Sequence, residues 1–166
     1  MTQTAVPDRI EKQILLRAPL TRVWKAISDS QQFGSWFGVK FDGPFKAGQR
    51  IVGKITPTTV DPEVARMQQP YVGMTFDITI DRIEPEKMLS FRWHPFAIDP
   101  KVDYSHEPTT LVVFELKEVA GGVMLTITES GFNGIPLSRR AEAFKANEGG
   151  WSKQVTLIEK YLAKAS

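Results

Sequence analysis

The stretch that most limits what this chain can fold into is its C-terminal segment, residues 136 to about 164. Within it Leu137, Ala141, Phe144, Glu148, Trp151, Val155, Ile158 and Leu162 recur at alternating steps of four and three, the spacing of one helical face. A helix of this length spans on the order of 40 Å at ~1.5 Å per residue. An apolar stripe that long must be covered by another layer, so the rest of the chain has to supply a broad surface. Gly149-Gly150 interrupts the pattern. At about 1 kcal/mol each relative to alanine, the two glycines predict a kink or a close approach at this point.

The covering layer reads as a sheet. Residues 9–17 form a strand that ends at Ala18-Pro19. Proline suits the first turn of a helix, and Val23, Trp24 and Ile27 then share a helical face. Asp29 or Ser30 caps a second short helix through Phe33, Trp36 and Phe37, limited by Gly34 and Gly38. Extended segments follow at 49–55, 74–83, 89–93, 110–116 and 123–129. In the second, Phe76, Ile78 and Ile80 oppose Asp77, Thr79 and Asp81; in the third, Leu89, Phe91 and Trp93 share a face. Pro85-Glu86 and Gly121-Gly122 mark turns, so successive strands run antiparallel as a meander. Residues 56–73 and 95–108 are proline-containing loops, the first with room for a helical turn at 61–68. Both are long for connections within a compact domain and are expected to be mobile.

Composition narrows the classes of function. At 166 residues the chain is expected to form a single domain over 1–166, with 1–8 flexible. It needs no metal or disulfide to hold it together, since a chain this long buries roughly two thirds of its unfolded surface. There is no cysteine, which removes disulfides, thiolate metal sites and cysteine nucleophiles. The N-terminus is polar, and no apolar run approaches the ~20 residues of a membrane helix, so a cytoplasmic protein without membrane insertion is expected. The 21 basic and 19 acidic residues are scattered, and no basic face interleaved with aromatics suggests nucleic acid. His94 and His106, with Asp99 and Asp103 nearby, lack the spacing of a metal site. No glycine-rich dinucleotide or phosphate loop is present, and no cofactor is expected.

The order of elements and several local motifs resemble a known family. Ile14-Leu15-Leu16-Arg17-Ala18-Pro19, then Val23-Trp24-Lys25-Ala26-Ile27 and Trp36-Phe37, are similar to the opening of the Hsp90-ATPase-activator-homologue family. Leu89-Ser90-Phe91-Arg92-Trp93 resembles its central strand; Thr128-Glu129-Ser130-Gly131-Phe132 and Gly150-Trp151 resemble its closing strand and helix. The resemblance implies an α+β, START-like helix-grip fold: a curved antiparallel sheet around a long C-terminal helix, with two short helices after the first strand. It also implies a superfamily of lipid carriers, hormone receptors and polyketide cyclases, beside co-chaperones.

A helix gripped by a concave sheet leaves a volume between them. Trp36, Phe76, Phe91, Trp93, Phe114, Ile127, Phe144 and Trp151 are the expected lining, and its composition suits a small apolar or aromatic ligand. Two carboxylates fall on apparently inward positions. Glu129 shares parity with Leu125 and Ile127, and Glu148 interrupts the helical stripe. They are the candidate polar contacts of the ligand. If they share one cavity, desolvation and mutual repulsion raise at least one pKa unless an arginine pairs with it. The alternatives are a co-chaperone-like module with a chaperone or other protein partner, and a cyclase- or hydrolase-like enzyme using one of these carboxylates.

Overall fold

The computed structural model describes residues 8–95 and 101–164. The chain runs β1 (Arg9–Leu16), α1 (Leu20–Ser28), α2 (Ser30–Phe37), β2 (Val39–Phe41), β3 (Arg50–Ile55), α3 (Pro62–Gln68), β4 (Thr75–Glu84), β5 (Met88–Trp93), β6 (Thr110–Val119), β7 (Gly122–Ser130) and α4 (Leu137–Lys164). The strands form one antiparallel sheet in the order β1-β7-β6-β5-β4-β3-β2. This is the expected meander, with β1 closing it beside the last strand. The fold is the α+β helix grip, with α4 packed against β1 and against both short helices.

The local chemistry explains the boundaries. Pro19 precedes α1 in an extended conformation. Asp29 caps α2, its carboxylate accepting from the Gln31 and Gln32 amides. Gly38 ends α2 at φ 94°, a conformation costly for other residues. Gly34 serves differently. It lies inside the helix, and a Cβ there would stand 2.0 Å from the Val39 carbonyl, so its absence lets β2 lie against α2. With three residues, β2 is too short to show alternation, and the sequence reading misses it. In β4 a bulge between Ile80 and Arg82 resets the phase, so Ile83 follows Ile80 toward the core side. The 56–73 loop holds the anticipated helical turn. Asp61 caps α3, Pro62 opens it, and a single 3-10 turn, Gln69–Tyr71, follows. Of the 95–108 loop, residues 96–100 lie outside the described residues, as do 1–7 of the N-terminal segment.

The inner stripe of α4 departs from the sequence reading. Leu137 is 81% exposed, and Ala141 and Glu148 are exposed as well. The residues that turn inward are Ala143, Asn147, Trp151, Gln154, Leu157, Ile158 and Leu162; Asn147 and Gln154 are half-buried and the others buried. The stripe shifts because two polar side chains find hydrogen-bond partners on the covered face. Phe144 and Val155, both half-buried, still pack against the core, whereas Glu148, read as part of the stripe, faces solvent. The helix is continuous through Gly149-Gly150, and an added Cβ at either glycine meets nothing within 4 Å. The close approach expected there is absent.

Candidate functional site

The residue that organises the space between α4 and the sheet is Glu129. It sits near the end of β7 on the face of Val123, Leu125 and Ile127, and it is fully buried. Four side chains from three other elements converge on its carboxylate. Trp93 of β5 donates its indole N–H to Oε2 at 2.8 Å, and Trp151 of α4 donates to Oε1 at 2.8 Å. Thr110, opening β6, donates to Oε2 at 2.5 Å. Asn147, one helical turn before Trp151, places its amide nitrogen 2.9 and 3.0 Å from the two oxygens. Both oxygens accept throughout, the bonding pattern of an ionised carboxylate.

Among the described residues no cation takes part. Arg139 forms a bidentate pair with Glu107, donates to the Pro95 carbonyl and lies over the Tyr104 ring. Arg140 donates to the Ile135 and Asn133 carbonyls. A buried carboxylate without a counter-charge loses several kcal/mol of hydration. Charge-assisted hydrogen bonds, each worth roughly 1.5–3 kcal/mol, offset that loss here with neutral donors alone.

The aromatic residues form a continuous assembly around this centre. The Trp93 and Trp151 rings stack 5.7 Å apart at 30°. Phe37 lies 6.3 Å from Trp93 and 6.0 Å from Trp151, and Phe114 packs on Trp151 edge-on at 5.7 Å. Phe91 contacts Trp93 and Phe114; Phe76 contacts Trp93. Trp36 packs on Phe114 and donates its indole N–H to the Ala26 carbonyl. Trp36, Phe91, Phe114, Ile127 and Trp151 are buried to 2% exposure or less, whereas Phe37, Phe76 and Trp93 are half-buried. The half-buried rings form a rim on a densely packed floor.

The structure thus brings together Trp36, Phe76, Phe91, Trp93, Phe114, Ile127, Glu129 and Trp151. Phe144 stands apart, packed on Phe132 at 5.1 Å. Glu148 points to solvent, so the two carboxylates do not share a cavity, and the repulsion expected between them does not arise. Asn147 stands where Glu148 was placed. Thr110, Asn147 and Phe37 join the site although the sequence reading gave them no part in it. Asn147 had one signal, its i, i+4 spacing from Trp151, which puts two N–H donors on one helical face.

Other clusters are less organised. His94 Nε2 lies 3.0 Å from the Glu107 carbonyl, and His106 is an exposed neighbour of Asp103 at 3.8 Å. Among the described residues no three histidine or acidic side chains group as metal ligands. Asp99 lies outside them. No helix among the described residues is long and apolar enough to cross a membrane.

Comparison with known proteins agrees with this architecture. The sequence profile of the family described as Activator of Hsp90 ATPase homolog 1-like protein matches residues 17–163. No curated protein matches the chain. Among solved structures, DynU16, a protein in the dynemicin biosynthetic locus, is 25% identical with a TM-score of 0.66, over 95% of this chain and 48% of its own. The chain therefore spans about half the length of DynU16. MLL2253 from Mesorhizobium loti is 20% identical with a TM-score of 0.69, over 95% of this chain and 98% of its own. A protein from Arthrobacter aurescens, 16% identical, reaches a TM-score of 0.70 over 96% of this chain and 88% of its own.

Proposed function

Because the chain belongs to the activator of Hsp90 ATPase homolog 1-like family, whose fold grips a helix against a sheet, we propose that it is a small-molecule binding module. Its ligand is apolar or aromatic and lodges between α4 and the sheet against the rim of Phe37, Phe76 and Trp93. The observation that carries this reading is the pairing of Trp93 and Trp151. Two indoles on different elements are held in a fixed stack by one buried carboxylate, beside rings that solvent reaches. Aromatic surfaces with a few fixed polar groups suit planar apolar ligands. The rim residues lie near the densely packed floor, so entry of a sizeable ligand requires α4 or α2 to give way.

The carboxylate chemistry argues against the enzymatic alternative. Glu129 has its oxygens occupied by protein donors, and Glu148 lies outside the site. A general base must reach the proton it removes. The co-chaperone-like alternative has one observation in its favour. Met67, Tyr71 and Val72, at the end of α3 and just beyond it, are 50%, 40% and 43% exposed. These two readings separate in one comparison. Saturable quenching of tryptophan fluorescence by aromatic or acyl compounds, with one-to-one stoichiometry, supports the binding module. Failure of every compound in such a panel, together with capture of a chaperone ATPase that is lost on Met67→Ser and Val72→Ser, overturns it.

A further inference from the structure

Resting on the small-molecule reading, we infer that the ligand is an aromatic or apolar molecule bearing an N–H or O–H donor and no carboxylate, and that this donor bonds the side-chain oxygen of Gln154. Gln154 follows Trp151 by three residues on the covered face of α4. Its amide nitrogen donates to the Phe37 carbonyl at 3.3 Å. That bond fixes the orientation of the amide, since the flipped form would set two carbonyl oxygens against each other. The Gln154 oxygen is then buried and, among the described residues, meets no hydrogen-bond donor. A buried acceptor left in this state is costly, and most such groups in folded proteins are satisfied.

The placement ties this acceptor to the site. The ring of Phe37, the residue whose carbonyl holds the Gln154 amide, lies 6.0 Å from Trp151 and 6.3 Å from Trp93. The amide that carries the orphan oxygen is thus anchored to the backbone of one ring residue of this group, and it lies three residues beyond Trp151 on the same helix. The donor inventory points the same way. The indole N–H groups of Trp93 and Trp151, the Asn147 amide and the Thr110 hydroxyl are all directed at Glu129. What the site offers a newcomer is an acceptor and a neighbouring negative charge. A ligand with a donor completes it, and an anionic ligand meets repulsion in a desolvated setting.

Calorimetric titration of the full chain with indole, N-methylindole and indole-3-carboxylate tests this. Indole donates one hydrogen bond, its N-methyl analogue donates none, and the third carries an anion. Indole should bind about 3- to 10-fold more tightly than N-methylindole, the increment of one net hydrogen bond. The carboxylate should bind more weakly than indole. Gln154→Met, checked for folding by circular dichroism, should bring the ratio of indole to N-methylindole affinity to about one, whatever common change it makes to the two affinities. Equal binding of the two in the native protein overturns the inference, and that comparison needs no variant. So does an advantage that survives Gln154→Met, or a carboxylate that binds as well as indole. If neither neutral compound binds, this inference is overturned, while the small-molecule reading is decided separately by the wider panel of aromatic and acyl compounds.

Discussion

The two halves of α4 are attached to the protein by different physics. From Trp151 onward the helix is seated by apolar burial: Trp151, Leu157, Ile158 and Leu162 are all buried. Before Gly150 only Ala143 is buried and Phe144 packs half-buried on Phe132, so directional polar contacts make up more of the attachment. Arg139 reaches Glu107, Arg140 reaches two carbonyls, and Asn147 reaches Glu129. Apolar burial is non-directional and is lost only when water enters. A hydrogen bond can be exchanged for another of similar geometry. The second half is thus the firmer attachment, and the first half depends more on bonds that can be exchanged. Trp151 stands at the seam and belongs to both, buried among rings and bonded to Glu129.

That contrast can be broken most forcefully at the seam. Trp151→Ala should cost about 3–5 kcal/mol of stability in denaturant unfolding, the range for a buried aromatic removed from packed core. A loss below about 1 kcal/mol would show that the residue packs against little. Glu129→Gln comes next. The variant keeps the shape but turns one oxygen into a donor facing other donors, so a loss of roughly 2–3 kcal/mol is expected from charge-assisted bonds forfeited. Glu148→Gln, the neighbouring surface change, should stay within about 0.5 kcal/mol. Equal effects of the two glutamines would erase the distinction between buried hub and exposed neighbour.

Gly149→Ala sharpens the comparison from the other side. The glycine lies in open space within a continuous helix, so alanine should stabilise by up to about 1 kcal/mol. If it instead weakens ligand binding while raising the unfolding midpoint, the two halves move relative to each other during binding.

The smallest effect is local and depends on pH. Lys160 on the second half of α4 bonds Asp61, which also accepts from the Val64 and Glu63 amides at the start of α3. These contacts, that of Lys160 first, hold the Asp61 carboxyl below its ordinary value of about 3.9. A folded value below the unfolded one means the stabilisation is present above the ordinary aspartate range and is lost as pH falls through the folded value. NMR shifts of the Glu63 and Val64 amides should therefore titrate below the ordinary range. Asp61→Asn should abolish that titration, and a midpoint at or above the ordinary value would contradict the assignment.

The fold was largely legible because its signals are periodic. The β4 and β5 alternations, the Asp29 cap and the length of α4 each follow from local chemistry that tertiary contacts did not override. What escaped was short or polar. β2 has three residues and no pattern to detect. The face of α4 was read correctly at Trp151, Ile158 and Leu162 and wrongly at Leu137, Ala141 and Glu148; Asn147 and Gln154 were missed because their inward orientation depends on acceptors supplied by β7 and α2. Parity along β7 correctly turned Glu129 inward. Nothing in the chain order shows that its four donors come from β5, β6 and α4, which meet only when the sheet curves around the helix.

The stacked indoles also make the molecule its own optical gauge. Trp93 rides on the sheet and Trp151 on the helix, 5.7 Å apart and tilted by 30°. Transition dipoles that close and skewed couple, so the pair absorbs left and right circularly polarised light unequally in a way neither ring does alone. The coupling falls steeply with separation. Its amplitude therefore reads the distance between helix and sheet directly, with no label attached, and it registers α4 lifting from its seat before any secondary structure is lost.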